Sequence, residues 1–190
     1  CPAIDGHNEH LALSGDRCVA PQPSDLASVL VAIGADVMIA TSDGSERRVP
    51  AGDFLVAPSD DRRALHALAD GDLVTSIRIP LTKDREVSSV YLKAMDRAVW
   101  HFALVGVAAV VERGASGKVE HASLCASGVS NTPLELRRAA ETLVGSTLTS
   151  ASIERAAAVS VEGLDSLSEN RFKIALLRGL VTRTLQAIQS

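Results

Sequence analysis

The feature that most constrains the fold is an uninterrupted apolar run at residues 103–111, ALVGVAAVV, near the middle of the chain. The run is too short to span a bilayer, which takes about 18–20 apolar residues in a helix. Its valines favour a buried strand over a buried helix. The segment before it contains a strand-like step, Tyr91-Leu92-Lys93, followed by a polar corner. Residues 88–112 therefore form the segment around which the rest of the chain is organised.

The residues after this segment predict a hairpin. Residues 114–118, GASGK, have the composition of a tight turn, so the strands on either side of it should pair antiparallel. The apolar run before the turn and residues 119–129 are therefore the two strands of the predicted hairpin.

Three helices should follow the hairpin. Thr132 is placed to cap the first, with Pro133 at its first position and Gly145 after its end. Thr149 or Ser150 should cap the second, which extends to about residue 161, and Ser168 should cap the third.

Shorter elements are predicted upstream. Residues 1–23 have no sustained period and indicate a loop, and Ser24 is placed to cap a helix that Gly34 ends. Three strands should follow, at residues 35–41, 46–49 and 73–80. The polar residues 81–86 after the last strand indicate a linker, and a domain boundary is expected there.

Composition excludes several classes of function. The chain has 190 residues, 46% of them apolar, which suits one globular domain or two small ones. Its net charge of −4, with acids and bases interspersed, argues against nucleic acid or an anionic membrane surface as partner. No apolar stretch is long enough for a transmembrane helix, so a membrane location is not expected. The three cysteines, Cys1, Cys18 and Cys125, are not a disulfide framework.

Residue types alone identify little chemistry. His7 and His10 lie near Cys1 and Cys18, and these are ligand types for a transition metal, although solvated loop histidines are the commoner case. Asp25 suits the first turn of a helix as a residue that compensates its dipole. Lys93 suits a solvated strand end. Taken without further comparison, the sequence indicates a globular α+β domain of unknown function.

The order of several motifs indicates a family. The chain contains CVAPQPSDL, then LVTSIRIP, YLK, FALVGVA and VSNTP, in that sequence. This order and spacing closely resemble the FAD-binding medium subunit of the molybdenum hydroxylases, which include xanthine dehydrogenase, carbon monoxide dehydrogenase, aldehyde oxidoreductase and 4-hydroxybenzoyl-CoA reductase. The resemblance extends over nearly the whole chain, from about residue 18 to residue 188.

The resemblance implies a fold and two domains. Residues 1–82 would be the end of a PCMH-type FAD-binding domain, with part of an iron–sulfur loop at residues 1–18. Residues 86–190 would be the C-terminal domain of the CO dehydrogenase flavoprotein type, a three-stranded antiparallel sheet on a three-helix bundle. The resemblance places the three strands at residues 88–95, 103–112 and 119–129. Because Cys1 has no initiator Met before it, we expect the chain to be a fragment, whose missing part would carry the Gly-rich segments that cradle the FAD pyrophosphate.

Four residues match cofactor-binding positions of the family. Asp25 matches an acid that hydrogen-bonds the ribityl chain or ring edge of the flavin. Lys93 matches a lysine near the flavin ring, where a cation can stabilise negative charge on the reduced form. Phe102 matches a position whose side chain packs on one ring face, and Val74 matches an aliphatic contact.

The resemblance also concerns metals, partners and role. Cys1 and Cys18 match the last two of four cysteines that hold an extra [4Fe–4S] cluster in some members, so a cluster is expected only with the full set.

The chain would pass electrons from [2Fe–2S] clusters on a small subunit through FAD to an external acceptor, beside a molybdopterin-binding large subunit. No catalytic residue for the organic substrate is expected here. The alternative is a docking module without a cofactor. A cytoplasmic location is expected, with a periplasmic complex as the alternative.

Overall fold

The computed structural model describes residues 1–13, 18–59, 63–81 and 86–189. Its helices and strands are α1 (Asp25–Ala32), β1 (Asp36–Ala40), β2 (Glu46–Pro50), α2 (Ala51–Phe54), β3 (Leu73–Arg78), β4 (Glu86–Ala94), β5 (Val105–Arg113), β6 (Val119–Ser127), β7 (Leu134–Glu135), α3 (Arg137–Glu141), α4 (Ser150–Val159) and α5 (Phe172–Gln189). Two antiparallel sheets with separate groups of helices confirm the α+β class.

The first sheet is small, with three antiparallel strands in the order β2-β1-β3. Its core consists of Val37, Ile39 and Val49, against which Phe54 packs. All six residues of β3 are exposed, although this strand is rich in apolar side chains. The expected strands of this region are therefore all present, and the last of them offers an apolar surface.

The second sheet explains the long apolar run. It has four antiparallel strands in the order β4-β5-β6-β7, and β5 lies inside it. Val105 and Val107 belong to a core with α3, α4 and α5, whereas Ala108 and Val110 pack against Ala32 of α1. Because helices cover both faces of β5, neither face tolerates the polar residues of a half-exposed strand.

The expected three-stranded sheet needs one correction. Leu134 and Glu135 add a fourth strand by pairing with Ala126 and Cys125 of β6. The helix expected from Thr132 and Pro133 was therefore wrong in its start, and α3 begins only at Arg137. The physical reason is that the backbone of residues 134–136 is committed to β6, since Leu136 N also donates to Leu124 O.

The helix caps were predicted with mixed success. Ser24 caps α1 as expected, with its hydroxyl accepting from Ala27 N at 3.1 Å. Thr149 caps α4 in a capping box with Ser152. Ser168 was the wrong cap for the third helix, because α5 begins at Phe172 and the Ser168 hydroxyl instead accepts from Asn8 Nδ2 at 2.9 Å.

The N-terminal segment is held by buried polar side chains. Residues 1–13 and 18–23 contain no helix or strand, as expected for a loop. Lys173 of α5 is fully buried, and its ammonium group donates to the carbonyls of His10, Leu11 and Gly128 at 2.8–3.0 Å. Asn170 likewise donates to the carbonyls of Leu11 and Ala12. The loop is thereby attached to the start of α5 and the end of β6.

The predicted domain boundary falls largely on residues 82–85, outside the described part of the chain, so the division into residues 1–82 and 86–190 stays a prediction. Contacts cross it, because α1 packs on β5 and β6. In the described ranges, no helix is both long and apolar enough to cross a membrane.

Candidate functional site

The candidate site is built around the start of α1. The Ser24 cap fixes the first turn, and Asp25 follows it directly, where a carboxylate is favoured by the helix dipole. The Asp25 side chain is 42% exposed. The first turn therefore presents a carboxylate at the surface, next to the face of the second sheet on which α1 packs.

Asp25 and Lys93 meet, although they lie 68 residues apart. Lys93 Nζ donates to Asp25 Oδ2 at 2.6 Å and also to the carbonyl of His101 at 3.3 Å. The Lys93 side chain is 25% exposed. This partly shielded ion pair joins α1 to the end of β4 and to the loop that follows β4.

Tyr91 is the site residue that sequence reasoning missed. Its hydroxyl donates to Asp25 Oδ1 at 2.6 Å, so both carboxylate oxygens have partners. Burial and the hydrogen bond to Asp25 raise the pKa of Tyr91 well above its usual value, which keeps the hydroxyl protonated. Two-residue spacing puts Tyr91 on the same sheet face as Lys93, and this was the available signal.

Gly106 and Ser127 complete this corner. Gly106 pairs with Lys93 on one side and with Ser127 on the other. A Cβ atom at Gly106 would lie 2.4 Å from the Tyr91 hydroxyl and 2.4 Å from Ser127 Oγ. Ser127 Oγ is buried next to the Tyr91 hydroxyl, with which it interacts without the geometry of a full hydrogen bond. Two hydroxyl groups thus occupy the space that a side chain at position 106 would need.

An exposed aromatic loop borders the ion pair. Trp100 is 92% exposed and Phe102 is 73% exposed, and both follow β4 closely. Trp100 has a φ of 55°, which is strained for a residue with a side chain, and Arg97 Nη2 donates to its carbonyl at 2.6 Å. The carbonyl of His101, which accepts from Lys93, lies between these two aromatic residues in the chain. These exposed aromatic side chains are available for contact with a ligand or partner.

Val74 lies on the other sheet. It lines an apolar cavity of about 220 Å³, together with Ser24 and Leu26, the residues on either side of Asp25. The side chain of Val74 is 37% exposed. Of the four expected cofactor-binding residues, Asp25 and Lys93 are thus in direct contact, Val74 shares a cavity with the neighbours of Asp25, and Phe102 follows His101, whose carbonyl accepts from Lys93.

The cysteines do not form a comparable centre. Cys1 is exposed and Cys18 is partly exposed, whereas Cys125 is buried in β6, where burial raises the pKa of its thiol to about 12. Among the described residues, no group of three or more His, Cys, Asp or Glu side chains is arranged to hold a metal ion. Two thiolates do not fit a [4Fe–4S] cluster, which takes four. The assignment of Cys1 and Cys18 as its ligands stays a prediction.

The arrangement fits one part of a flavin site. A flavin ring has aromatic faces, an edge rich in hydrogen-bonding groups and a reduced form that carries negative charge. The described residues offer exposed aromatic and aliphatic side chains for the faces, and a carboxylate and an ammonium group for the edge.

The chain matches two family models. Residues 90–188 match the CO dehydrogenase flavoprotein C-terminal domain, and residues 11–82 match the FAD binding domain in molybdopterin dehydrogenase. The chain therefore belongs to the family of flavoprotein subunits of the molybdenum hydroxylases, as its motifs predicted.

Two curated relatives support this membership. The chain is 32% identical over 121 residues to the aldehyde oxidoreductase FAD-binding subunit PaoB of Escherichia coli (strain K12), a match that covers 63% of the chain and 37% of the relative. It is 26% identical over 177 residues to the 6-hydroxypseudooxynicotine dehydrogenase complex subunit alpha of Paenarthrobacter nicotinovorans, covering 91% of the chain and 57% of the relative. The chain thus spans about a third to just over half of these relatives.

Solved structures share the fold. Quinoline 2-oxidoreductase from Pseudomonas putida 86 superposes with a TM-score of 0.75 at 21% identity, over 95% of this chain and 64% of that one. Carbon monoxide dehydrogenase from Hydrogenophaga pseudoflava, in a form that lacks the Mo-pyranopterin moiety of its molybdenum cofactor, superposes with a TM-score of 0.75 at 22% identity, over 97% and 60%.

Proposed function

We propose that this chain is part of an FAD-binding electron-transfer subunit of a molybdenum-containing hydroxylase or dehydrogenase. The observation that carries the proposal is the Asp25–Lys93 ion pair, held by Tyr91 and bordered by the exposed Phe102, in a chain whose two parts match flavoprotein family models. The exposed apolar face of β3 supports the same proposal, because it would be covered in a complete cofactor site.

Each proposed residue has a role that its position supports. Lys93 would hold a positive charge beside the flavin ring. Because the lysine is little exposed, solvent would screen its interaction with the reduced flavin only weakly. Asp25 would accept hydrogen bonds from the ribityl chain or the ring edge. Phe102 would pack on a ring face, and Val74 would supply an aliphatic contact. Bound FAD would supply the ability to take up two electrons and to release them singly or as a pair.

The partners follow from the proposed role. Electrons would arrive from [2Fe–2S] clusters on a small subunit and leave to an external acceptor, while a molybdopterin-binding large subunit would hold the organic substrate. The E. coli relative is named as a subunit of an oxidoreductase, and the P. nicotinovorans relative as a subunit of a dehydrogenase complex, which supports an assembly of this kind. The remainder of the FAD domain would contribute the other side of the cofactor site. A cytoplasmic complex is proposed, with a periplasmic one as the alternative.

Metal analysis of the native complex tests this proposal. The protein is purified from its natural host with the subunits that accompany it, and molybdenum, iron and flavin are measured per chain. We expect all three. A complex with flavin but no molybdenum would contradict the assignment to a molybdenum enzyme, and one with both metals but no flavin would leave only a docking role.

A further inference from the structure

We propose that Tyr91 is a positioning residue for FAD, which orients the Asp25 carboxylate for the cofactor, and that Gly106 is required to make room for the Tyr91 hydroxyl. This inference rests on the proposed function, because it assigns the Tyr91–Asp25 contact to the same cofactor site. It concerns two residues for which the sequence alone suggested no role.

The hydrogen bonds of Asp25 give the first argument. The Tyr91 hydroxyl donates to Oδ1 at 2.6 Å and the Lys93 ammonium to Oδ2 at 2.6 Å, so the carboxylate is held at both oxygens. Asp25 lies in the first turn of a helix and is 42% exposed, so nothing else described in the structure prevents its rotation. Without Tyr91, only a lysine side chain with several rotatable bonds would fix its orientation.

Backbone packing gives the second argument. Gly106 lies within β5, where glycine weakens a strand unless another group needs the space. A Cβ atom there would lie 2.4 Å from the Tyr91 hydroxyl and 3.0 Å from its Cζ atom. The position opposite Lys93 therefore stays without a side chain so that the ring of Tyr91 can extend towards Asp25.

Burial gives the third argument. The Tyr91 ring is half-buried between the sheet and α1, and it packs with Val29, Ala108 and Cys125. The ring of Tyr91 thus lies against apolar side chains, while its hydroxyl reaches the Asp25 carboxylate. A rigid side chain of this kind fixes its partner with little loss of conformational entropy on cofactor binding.

The test is Y91F in the complete native protein, since phenylalanine keeps the ring packing and removes only the donor. We expect FAD to bind roughly tenfold more weakly, as for loss of one hydrogen bond to a charged group. The flavin midpoint potential should become more negative, because the freed Asp25 oxygen leaves more negative charge uncompensated near the ring. G106A, which keeps the tyrosine but crowds its hydroxyl, should shift both quantities in the same direction.

The control is S89A, which changes a hydroxyl on the same strand and the same face, two residues from Tyr91. It should leave affinity and potential as in the wild type. If the wild type binds FAD and both Y91F and G106A keep its affinity and potential, the role of Tyr91 is overturned while the proposed function stands. If the wild-type protein binds no FAD, the proposed function fails, and the inference fails with it.

Discussion

At the scale of single residues, the site depends on a lysine whose partner lies far away in the sequence. Lys93 lies one residue before the end of β4, where a lysine is usually solvated, but here it is three-quarters shielded and contacts Asp25 and the His101 carbonyl. An ammonium group held by two fixed acceptors keeps a defined position. This distinguishes Lys93 from a solvated strand-end residue and supports its proposed place beside the flavin.

K93M tests that position. Methionine keeps the aliphatic stem and removes the charge, so FAD should bind about tenfold to a hundredfold more weakly and its midpoint potential should fall. Titration of the FAD-depleted protein with FAD measures the affinity. The control is K118M, at the exposed turn between β5 and β6, which should have no effect. Equal affinity in K93M and wild type would remove Lys93 from the site.

The residues of the site could be predicted only in part. Asp25, Lys93, Phe102 and Val74 were assigned by resemblance, and their roles toward a cofactor stay predictions. The structure brings Asp25 and Lys93 into direct contact and places Val74 in a cavity beside the first turn of α1. Tyr91 was missed because a tyrosine in a strand packs in a core far more often than it orients a carboxylate. Gly106 was missed because the need for space depends on a side chain from the neighbouring strand, which a linear pattern does not show.

At the scale of elements, the junction between β6 and the loop before β5 is tightly constrained. Gly128 has a φ of 80°, and a Cβ atom there would lie 2.5 Å from the Leu104 carbonyl oxygen. The same glycine's carbonyl accepts from buried Lys173. The end of β6 therefore cannot accept a side chain without moving the backbone that precedes β5.

G128A should consequently destabilise the protein by about 2–5 kcal/mol, through backbone strain plus overpacking. G117A is the matched control, because Gly117 also has a positive φ, of 74°, but open space where a Cβ would lie. It should cost only about 1–2 kcal/mol of strain. Thermal unfolding of both variants measures the difference, and equal losses would contradict the crowding at Gly128.

The elements themselves were largely predictable, since local signals determine most of them. The alternating patterns of β1 and β3 and the caps of α1 and α4 were read from neighbouring residues. The strand β7 was missed because its two residues are a strand only through their pairing with β6, and the sequence around Thr132 and Pro133 has a strong helix-start signal. The cap of α5 was misplaced because Ser168 is used in a contact with Asn8, a residue 160 positions away.

At the scale of the whole molecule, Lys173 joins the N-terminal loop to the C-terminal helix and the sheet. Its three acceptors are backbone carbonyls, and no ion pair is found for it in the described part of the chain. Burial lowers the pKa of Lys173 to about 8, with Asp96 acting in the opposite direction. Lys173 is therefore charged at neutral pH, although burying its ammonium group costs free energy.

This arrangement predicts a pH dependence of stability. The folded pKa of about 8 lies below the ordinary value of 10.5, so between these values the unfolded chain binds more protons than the folded one. The contribution of Lys173 to the free energy of unfolding should therefore be lowest below pH 8 and rise towards pH 10.5, by up to about 1.4 kcal/mol per pH unit. Urea unfolding of wild type and K173M across this range measures it, and a constant difference between the two would contradict the shifted pKa.

If this chain belongs to a subunit that holds FAD, the absorbance spectrum of the wild-type protein in its native complex should show the flavin. Flavin released by denaturation is identified as FAD and quantified per chain. We expect a flavin spectrum with about one FAD per chain. A complex that contains the intact chain but neither absorbs as a flavin nor releases FAD would contradict it.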